Sequence, residues 1–172
     1  PAQVPKSNSQ WTVFSDSDQP FLTPPGKIGK SRAVRKPRAN RGSIRARKNT
    51  RLENSKDAFQ LTFTGDDPGI AMDFRAAPIS PAGPYCLAFE LKTDLKGQGE
   101  IFFTTDKEAV LPRGETITFP VVGGSQAQEV RLEIDTVEQL YQLRIDVADG
   151  PGDATLRKLR LLDRSGKVIK DW

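Results

Sequence analysis

The sequence predicts an all-β fold, an antiparallel two-sheet β-sandwich of jelly-roll type with a basic N-terminal extension. Residues 130–135 and 141–147 alternate apolar and polar side chains without a break. Strict alternation places one row of side chains in a core and the other row in water. Similar short segments recur between turn residues from 58 to 172, which is typical of two-layer antiparallel architectures. We therefore expect one sandwich domain at residues 43–172, preceded by an extension at residues 1–42.

The extension is expected to be flexible, apart from one strand at residues 11–14 that docks on the sandwich. Residues 27–51 contain eleven Lys or Arg and no acidic residue, whereas residues 52–172 contain 14 basic and 20 acidic residues. The basic segment is a candidate for binding a polyanion such as a sulfated glycan, or it is a solvated linker that contacts the acidic body. Nucleic acid is not the expected partner, because no aromatic residues are interleaved with the basic ones. The polyanion-binding candidates are Arg35, Lys36, Arg38, Arg41, Arg45, Arg47 and Lys48.

The strands are predicted from their alternating apolar rows. The first, rich in Arg, is expected at a sheet edge, where charged side chains prevent unwanted strand pairing. The turn at residues 65–69 is expected to return the chain from Phe63 to Ile70, and Gly166 predicts a hairpin between the last two strands. The predicted strands of the sandwich cover residues 43–47, 59–64, 70–74, 85–92, 100–105, 117–121, 130–135, 141–147, 156–162 and 167–172.

The composition argues against an independent enzyme. The chain has no histidine and one cysteine, Cys86, so the usual groups for acid–base or nucleophilic catalysis at neutral pH are missing. Without a histidine base, Cys86 is expected to be a small packed residue. A carboxylate-only mechanism would need a pair of acids, and no pair stands out. No apolar segment approaches the roughly 20 residues that span a bilayer, so no membrane partner is predicted.

Polar side chains on the alternating strands are candidate ligand-binding groups. An Arg guanidinium can bind sugar hydroxyls or anionic groups, and we predict that these polar rows line the outer face of one sheet. The alternative is a solvated face with cross-strand ion pairs. Phe102 and Phe103 point to opposite faces, so one of them lies outside the core. There its ring is either covered by residues 11–14 or stacks on a sugar ring. The candidate ligand-binding residues are Arg131, Glu133, Arg144, Asp146 and Arg160.

Acidic loops provide the remaining candidates. Asp149 and Asp153 could supply oxygen ligands to a structural Ca²⁺, and Asp66 and Asp67 are a second such pair. Neither spacing matches a defined calcium loop, and Asp beside Gly or Pro is common in turns. We therefore assign no metal and no other cofactor, and leave structural calcium as the alternative.

Several stretches together resemble the C-terminal β-sandwich accessory domain of bacterial sulfatases of the planctomycete type. The resemblance covers residues 43–172, and its features are shared with galactose-binding-like and carbohydrate-binding sandwiches. The sulfatase signature, Cys or Ser followed by x-Pro-x-Arg, is absent, because Cys86 is followed by Leu-Ala-Phe-Glu. The stretches that resemble the domain are residues 61–68, 83–85, 96–103, 159–161 and Trp172.

The resemblance implies a non-catalytic accessory domain of a secreted or periplasmic sulfatase-like enzyme. The esterase chemistry would then lie in a parent catalytic domain outside this chain. The implied partners are that catalytic domain and a polysaccharide, sulfated or neutral. Two interpretations remain open: a module that associates with a glycan or docks its parent enzyme, and a purely structural interdomain module with no ligand.

Overall fold

The computed structural model describes residues 44–79 and 83–172, and these residues form two antiparallel sheets packed into a sandwich. One sheet has five strands in the order β1-β4-β9-β6-β7, and the other has the order β2-β3-β10-β5-β8 with β11 paired to β10. This architecture confirms the predicted all-β, two-sheet antiparallel fold. The strands are β1 Ile44–Ala46, β2 Thr50–Asn54, β3 Ala58–Phe63, β4 Ile70–Asp73, β5 Tyr85–Thr93, β6 Gly97–Thr104, β7 Glu115–Val121, β8 Gln128–Ile134, β9 Gln142–Asp146, β10 Gly152–Asp163 and β11 Val168–Asp171.

The core lies between the sheets and takes one row of side chains from almost every strand. Phe89 of β5 meets Phe119 of β7 edge to face, with ring centroids 5.8 Å apart, so this pair joins the two sheets. Gly99 of β6 makes room for the Phe119 ring, because a Cβ at Gly99 would lie 2.3 Å from Phe119 Cζ. Buried residues alternate with more exposed ones along β3 and β5, which confirms the apolar rows predicted for these two strands.

The connection from β3 to β4 differs from the prediction. We expected the chain to return beside β3, but β4 pairs with β1 and β9 in the other sheet. The loop at residues 64–69 therefore crosses from one layer of the sandwich to the other. A period-two apolar row shows that one face of a strand is buried, and it does not show which sheet the strand joins.

Strand β2 was missed by the sequence analysis. Its one apolar residue, Leu52, is half-buried, and the strand pairs along one edge only, with β3. An exposed edge strand needs no apolar row, so its sequence has no clear alternation. Strand β10 also begins earlier than predicted, at Gly152, and contains a bulge where Lys158 has a φ of 50°.

Two further predictions, an edge position for β1 and a hairpin between the last two strands, are confirmed. Strand β1 lies at an edge of the five-stranded sheet, and β10 and β11 form the expected hairpin, with Gly166 at a φ of 81°. The predicted strand at residues 11–14 and the extension at residues 1–42 lie outside the described residues. Within residues 44–79 and 83–172, no helix is long and apolar enough to cross a membrane.

Candidate functional site

The outer face of the five-stranded sheet gathers polar side chains around one aromatic ring, and we call it the Arg144 face. Arg144 of β9 lies between Ala71 of β4 and Phe102 of β6 in the register of the sheet. These positions alternate with core residues, so their side chains point away from the core. The Arg144 face consists of Arg45, Arg47, Ala71, Asp73, Glu100, Phe102, Thr104, Thr116, Thr118, Gln142, Arg144 and Asp146.

Arg144, a predicted ligand-binding residue, is only 1% exposed. Its Nε donates a 2.7 Å hydrogen bond to Asp146 Oδ1, and its Nη2 donates to Asp146 Oδ2 and to Asp67 Oδ1. The guanidinium carbon lies 5.1 Å from the centroid of the Phe102 ring, at cation–π distance. The sequence analysis placed the polar row of β9 in water. This expectation is wrong for Arg144, because a neighbouring loop packs beside the guanidinium and provides a carboxylate that pairs with it.

That loop is the β3–β4 crossover, and several hydrogen bonds hold it against the sheet. Asn49 Nδ2 donates to Asp66 O at 2.7 Å, the Gly69 amide donates to Thr50 Oγ1 at 2.8 Å, and the Arg47 amide donates to Gly69 O at 2.9 Å. A Cβ on Gly69 would lie 2.0 Å from Asp146 Oδ1. Glycine therefore lets the loop backbone approach the buried carboxylate.

The charges of this cluster are balanced: the buried Arg144 and Asp146 lie in contact with the exposed Asp67, and Arg47 lies near Asp67. Burial raises the pKa of Asp146 to about 6, although the hydrogen bonds from Arg144 oppose this shift. Burial would lower the pKa of Arg144, but the hydrogen bonds to Asp146 and Asp67 raise it above its ordinary value. Arg47 Nη2 lies 3.8 Å from Asp67 Oδ2. The arrangement fixes the position of Arg144 and shares its charge between two carboxylates.

The other predicted ligand-binding residues lie on the opposite side of the sandwich. Arg131 and Glu133 belong to β8, and Arg160 belongs to β10, so all three are in the six-stranded sheet. The expectation that the five candidates share one sheet is therefore wrong. An alternating pattern defines the two faces of a strand, and strand pairing decides which strands lie together.

The outer face of the six-stranded sheet has the features of the solvated alternative. Arg131 Nη1 lies 3.7 Å from Glu129 Oε1, and Arg160 Nε lies 3.5 Å from Asp171 Oδ2. Lys158 at the bulge pairs with Glu90 across the sheet. These exposed ion pairs contribute little to stability, and they occupy the groups that a ligand would use.

The calcium candidates are not brought into a ligand set. Asp149 and Asp153 are exposed, and Asp153 Oδ1 accepts a 2.8 Å hydrogen bond from Thr62 Oγ1. In the described part of the chain, no group of three or more Asp, Glu or Cys side chains is placed to hold a metal ion. Asp67 of the second candidate pair binds Arg144 instead.

Cys86 is half-buried, whereas a packed residue was expected. It lines a cavity of about 330 Å³ at one end of the six-stranded sheet, together with Glu133, Asp135 and Arg164. Its Sγ lies 4.0 Å from Leu87 O. With Asp163, which also lines the cavity, the surroundings contain three carboxylates and one guanidinium, and no histidine or lysine that would stabilise a thiolate in this part of the described structure.

Three of the polyanion-binding candidates can be placed in the structure. Arg45 and Lys48 are exposed, on β1 and in the turn after it, and Arg47 is half-buried beside Asp67. Arg35, Lys36, Arg38 and Arg41 lie outside the described residues. The described part of the basic segment thus adjoins one end of the Arg144 face.

Sequence reasoning missed the roles of Asp67 and Arg47 at this site. Asp67 was considered as a turn residue or calcium ligand, yet it contacts a guanidinium 77 positions away along the chain. No local pattern identifies such a pair, because it depends on the crossover of the β3–β4 loop. The expectation that Phe102 and Phe103 point to opposite faces is confirmed, since Phe103 is buried in the core and Phe102 is half-buried on the outer face. The segment expected to cover the outward ring, residues 11–14, lies outside the described residues.

Comparison with known proteins gives a likeness of fold. No protein-family model and no curated protein matches the sequence. A family 29 carbohydrate-binding module from Piromyces equi is 15% identical, with a TM-score of 0.50 over 70% of this chain and 79% of that chain. Mutants of the module CBM29-2 bound to cellulohexaose and to mannohexaose are 12% and 10% identical, with TM-scores of 0.50 and 0.51. Each covers 70% of this chain and 80% of that chain.

These neighbours are non-catalytic carbohydrate-binding modules, and they carry no link to a sulfatase. At such low identity the likeness concerns the fold alone. The described residues therefore form a β-sandwich like that of family 29 carbohydrate-binding modules.

Proposed function

We propose that this protein is a non-catalytic module that associates with a polysaccharide through the Arg144 face. The observation that supports the proposal most directly is the half-buried Phe102 ring among fixed polar groups on the outer face of a sheet. The neighbours bound to cellulohexaose and mannohexaose show that this type of sandwich serves as an oligosaccharide-binding scaffold in those proteins.

The groups around Phe102 suit a sugar. An aromatic ring provides apolar surface for the C–H groups of a pyranose. Thr116 and Thr118 of β7 are exposed and provide hydroxyl groups, and Glu100 of β6 provides an acceptor beside them. The ion pairs of Arg144 hold the guanidinium against the ring, so ligand binding costs little side-chain conformational entropy at this residue.

Two observations support a non-catalytic role. The chain has no histidine, so proton transfer near neutral pH would depend on a carboxyl group with a raised pKa. Asp146 is such a group, but its carboxylate is 14% exposed and accepts two hydrogen bonds from Arg144. Its raised pKa follows from burial in an ion-pair cluster, which is a structural cause.

Calorimetric titration of the full chain with cellulohexaose and mannohexaose tests the proposal. We expect binding by the wild-type chain and a loss of about tenfold in affinity for Phe102→Ala, because the ring contributes about 1 kcal/mol or more to the contact. Val168→Ala, an exposed residue of β11 on the other sheet, serves as the matched control. Binding that is weakened by Arg131→Ala and unaffected by Phe102→Ala would place the contact on the six-stranded sheet instead.

A purely structural interdomain module is the second candidate. The burial of Arg144 at 1% exposure favours it, because a guanidinium already shared by two carboxylates has few donors left for a ligand. The ion-paired face of the six-stranded sheet is consistent with the same role. Absence of binding to every oligosaccharide, with a normally folded chain, would favour this candidate.

We also propose the biological context that the sequence resemblance implies. The module would belong to a secreted or periplasmic sulfatase-like enzyme, and the exposed Arg45 and Lys48 would contact a sulfated chain. Titration with dextran sulfate and with dextran across a salt series tests this contact. Affinity for the sulfated polymer should fall as salt rises, and it should fall further in the Arg45→Ala, Lys48→Ala double variant. Salt-independent binding to both polymers would contradict it.

A further inference from the structure

The guanidinium of Arg47 is incompletely satisfied where it adjoins the β3–β4 loop. Arg47 Nη2 lies 3.8 Å from Asp67 Oδ2, which is longer than a hydrogen bond. Among the buried side-chain nitrogen and oxygen atoms of the described residues, Arg47 Nε is the one without a hydrogen-bond partner. A buried donor without a partner destabilises a fold, and native structures retain few of them. An acceptor supplied from outside the chain would remove this cost.

Arg47 is also accessible from solvent. Its side chain is 34% exposed and that of Asp67 is 64% exposed, so both reach the surface at this end of the Arg144 face. Moving the guanidinium a short distance toward solvent would give Nε–H access to an external acceptor. A ligand that supplies the acceptor would therefore gain a hydrogen bond that the free protein lacks.

Asp67 provides an acceptor next to this donor. Its Oδ1 is held by Arg144, and its Oδ2 is directed to Arg47. The carboxylate is thus fixed by a buried partner while it remains largely exposed. One donor and one acceptor side by side match two adjacent hydroxyl groups of a sugar, since each hydroxyl can accept and donate a hydrogen bond.

We infer that Arg47 and Asp67 form a subsite for adjacent hydroxyl groups of a neutral sugar. Arg47 Nε–H donates to one hydroxyl oxygen, and Asp67 Oδ2 accepts from the neighbouring hydroxyl. The inference rests on the proposed function and extends the glycan contact from Phe102 to the β3–β4 loop. A neutral sugar suits this subsite, because two arginines and two aspartates leave the cluster without a net charge that would attract an anion.

Arg47→Met tests the inference, since it removes the guanidinium and keeps an unbranched apolar side chain. Arg51→Met is the matched control, because Arg51 is an exposed arginine of β2 paired with Glu53 at 2.7 Å in the other sheet. Affinity for mannohexaose and cellulohexaose and the Tm are measured for both. We expect Arg47→Met to lose about tenfold in affinity, as for one hydrogen bond to a charged group. Its Tm should equal or exceed that of the wild type, and Arg51→Met should leave the affinity unchanged.

The outcomes separate this inference from the proposed function. Wild-type affinity in Arg47→Met, with weaker binding in Phe102→Ala, overturns the subsite and leaves the proposed function standing. Absence of binding by the wild-type chain overturns both. A Tm several degrees lower in Arg47→Met means that Arg47 has a structural role and also overturns the subsite. Arg47→Lys, which keeps the charge but lacks Nε, gives a second test: it should lose affinity while remaining folded.

Discussion

Asp146 illustrates how the fold accommodates a buried carboxylate. Its side chain is 14% exposed, and Arg144 donates two hydrogen bonds to it. Burial still dominates and raises its pKa to about 6. A carboxyl group whose pKa is higher in the folded state than in the unfolded state binds its proton more tightly when folded. Its contribution to stability therefore grows as the pH falls.

We expect a defined pH dependence from this residue. As the pH falls from about 7 through 6 to about 4, the free energy of unfolding of the wild type should rise by up to about 3 kcal/mol relative to that of Asp146→Asn. Urea unfolding of both chains at several pH values measures the difference. Carboxyl groups with lowered pKa values, such as Asp73 and Asp163, contribute less to the free energy of unfolding as the pH falls. Their contribution changes equally in both chains, so it cancels from the difference. A flat difference, or one of opposite sign, would contradict the assignment.

Gly69 is a second residue whose identity is set by the same cluster. An added Cβ would lie 2.0 Å from Asp146 Oδ1 and 2.9 Å from Ile145 O, so either the loop or the carboxylate must move. We expect Gly69→Ala to lower the free energy of unfolding by about 1–3 kcal/mol. Chemical denaturation measures this loss. An unchanged free energy of unfolding in Gly69→Ala would refute a steric role for Gly69.

At the scale of elements, the β3–β4 loop is positioned by side chains more than by sheet pairing. The Asp67 carboxylate binds Arg144 of β9, and the Gly69 amide binds Thr50 Oγ1 before β4 begins. A loop held by few contacts opens locally at low free energy. The Asp67–Arg144 ion pair should therefore determine how often the loop leaves the sheet.

Removal of the Asp67 carboxylate should loosen this loop without unfolding the sandwich. In Asp67→Ala, we expect hydrogen exchange at the Gly69 amide to become about tenfold faster or more, because breaking a partner of a buried charge costs over 1 kcal/mol. Hydrogen exchange at amides in the middle of β5 should change only by the amount that the change in global stability accounts for. Unchanged exchange at Gly69 would mean that backbone hydrogen bonds alone hold the loop.

At the scale of the whole molecule, stability comes from aromatic and aliphatic contacts between the two sheets. Phe89 and Phe119 belong to different sheets and meet edge to face. Phe74 and Trp172 form another ring contact, with centroids 6.1 Å apart, so the last residue of the chain also packs into the core. These contacts connect segments far apart in sequence, and their loss should affect the entire sandwich.

Phe119→Ala should lower the free energy of unfolding by about 3–5 kcal/mol, because it leaves a cavity between the sheets. Val122→Ala, three positions away and 64% exposed, should change it by less than about 0.5 kcal/mol. Urea unfolding of both variants gives the comparison. Similar losses would indicate that Phe119 is not a contact between layers.

Local alternation of apolar and polar residues was enough to predict which side chains enter the core. The rows at Phe59, Leu61 and Phe63, the long β5 strand and the final hairpin were all predicted, because burial of one face imposes a period of two on any strand. Edge strand β2 escaped prediction, since exposure on its free side removes that constraint.

Contacts between polar residues, by contrast, depend on how distant strands pair. Arg144 and Arg160 look alike in sequence, since each stands between two apolar residues of a strand, yet one is buried in a charge cluster and the other is exposed in a surface ion pair. Sheet membership and the crossover of the β3–β4 loop make the difference. Both depend on strand pairing between distant segments, and local alternation contains no information about that pairing.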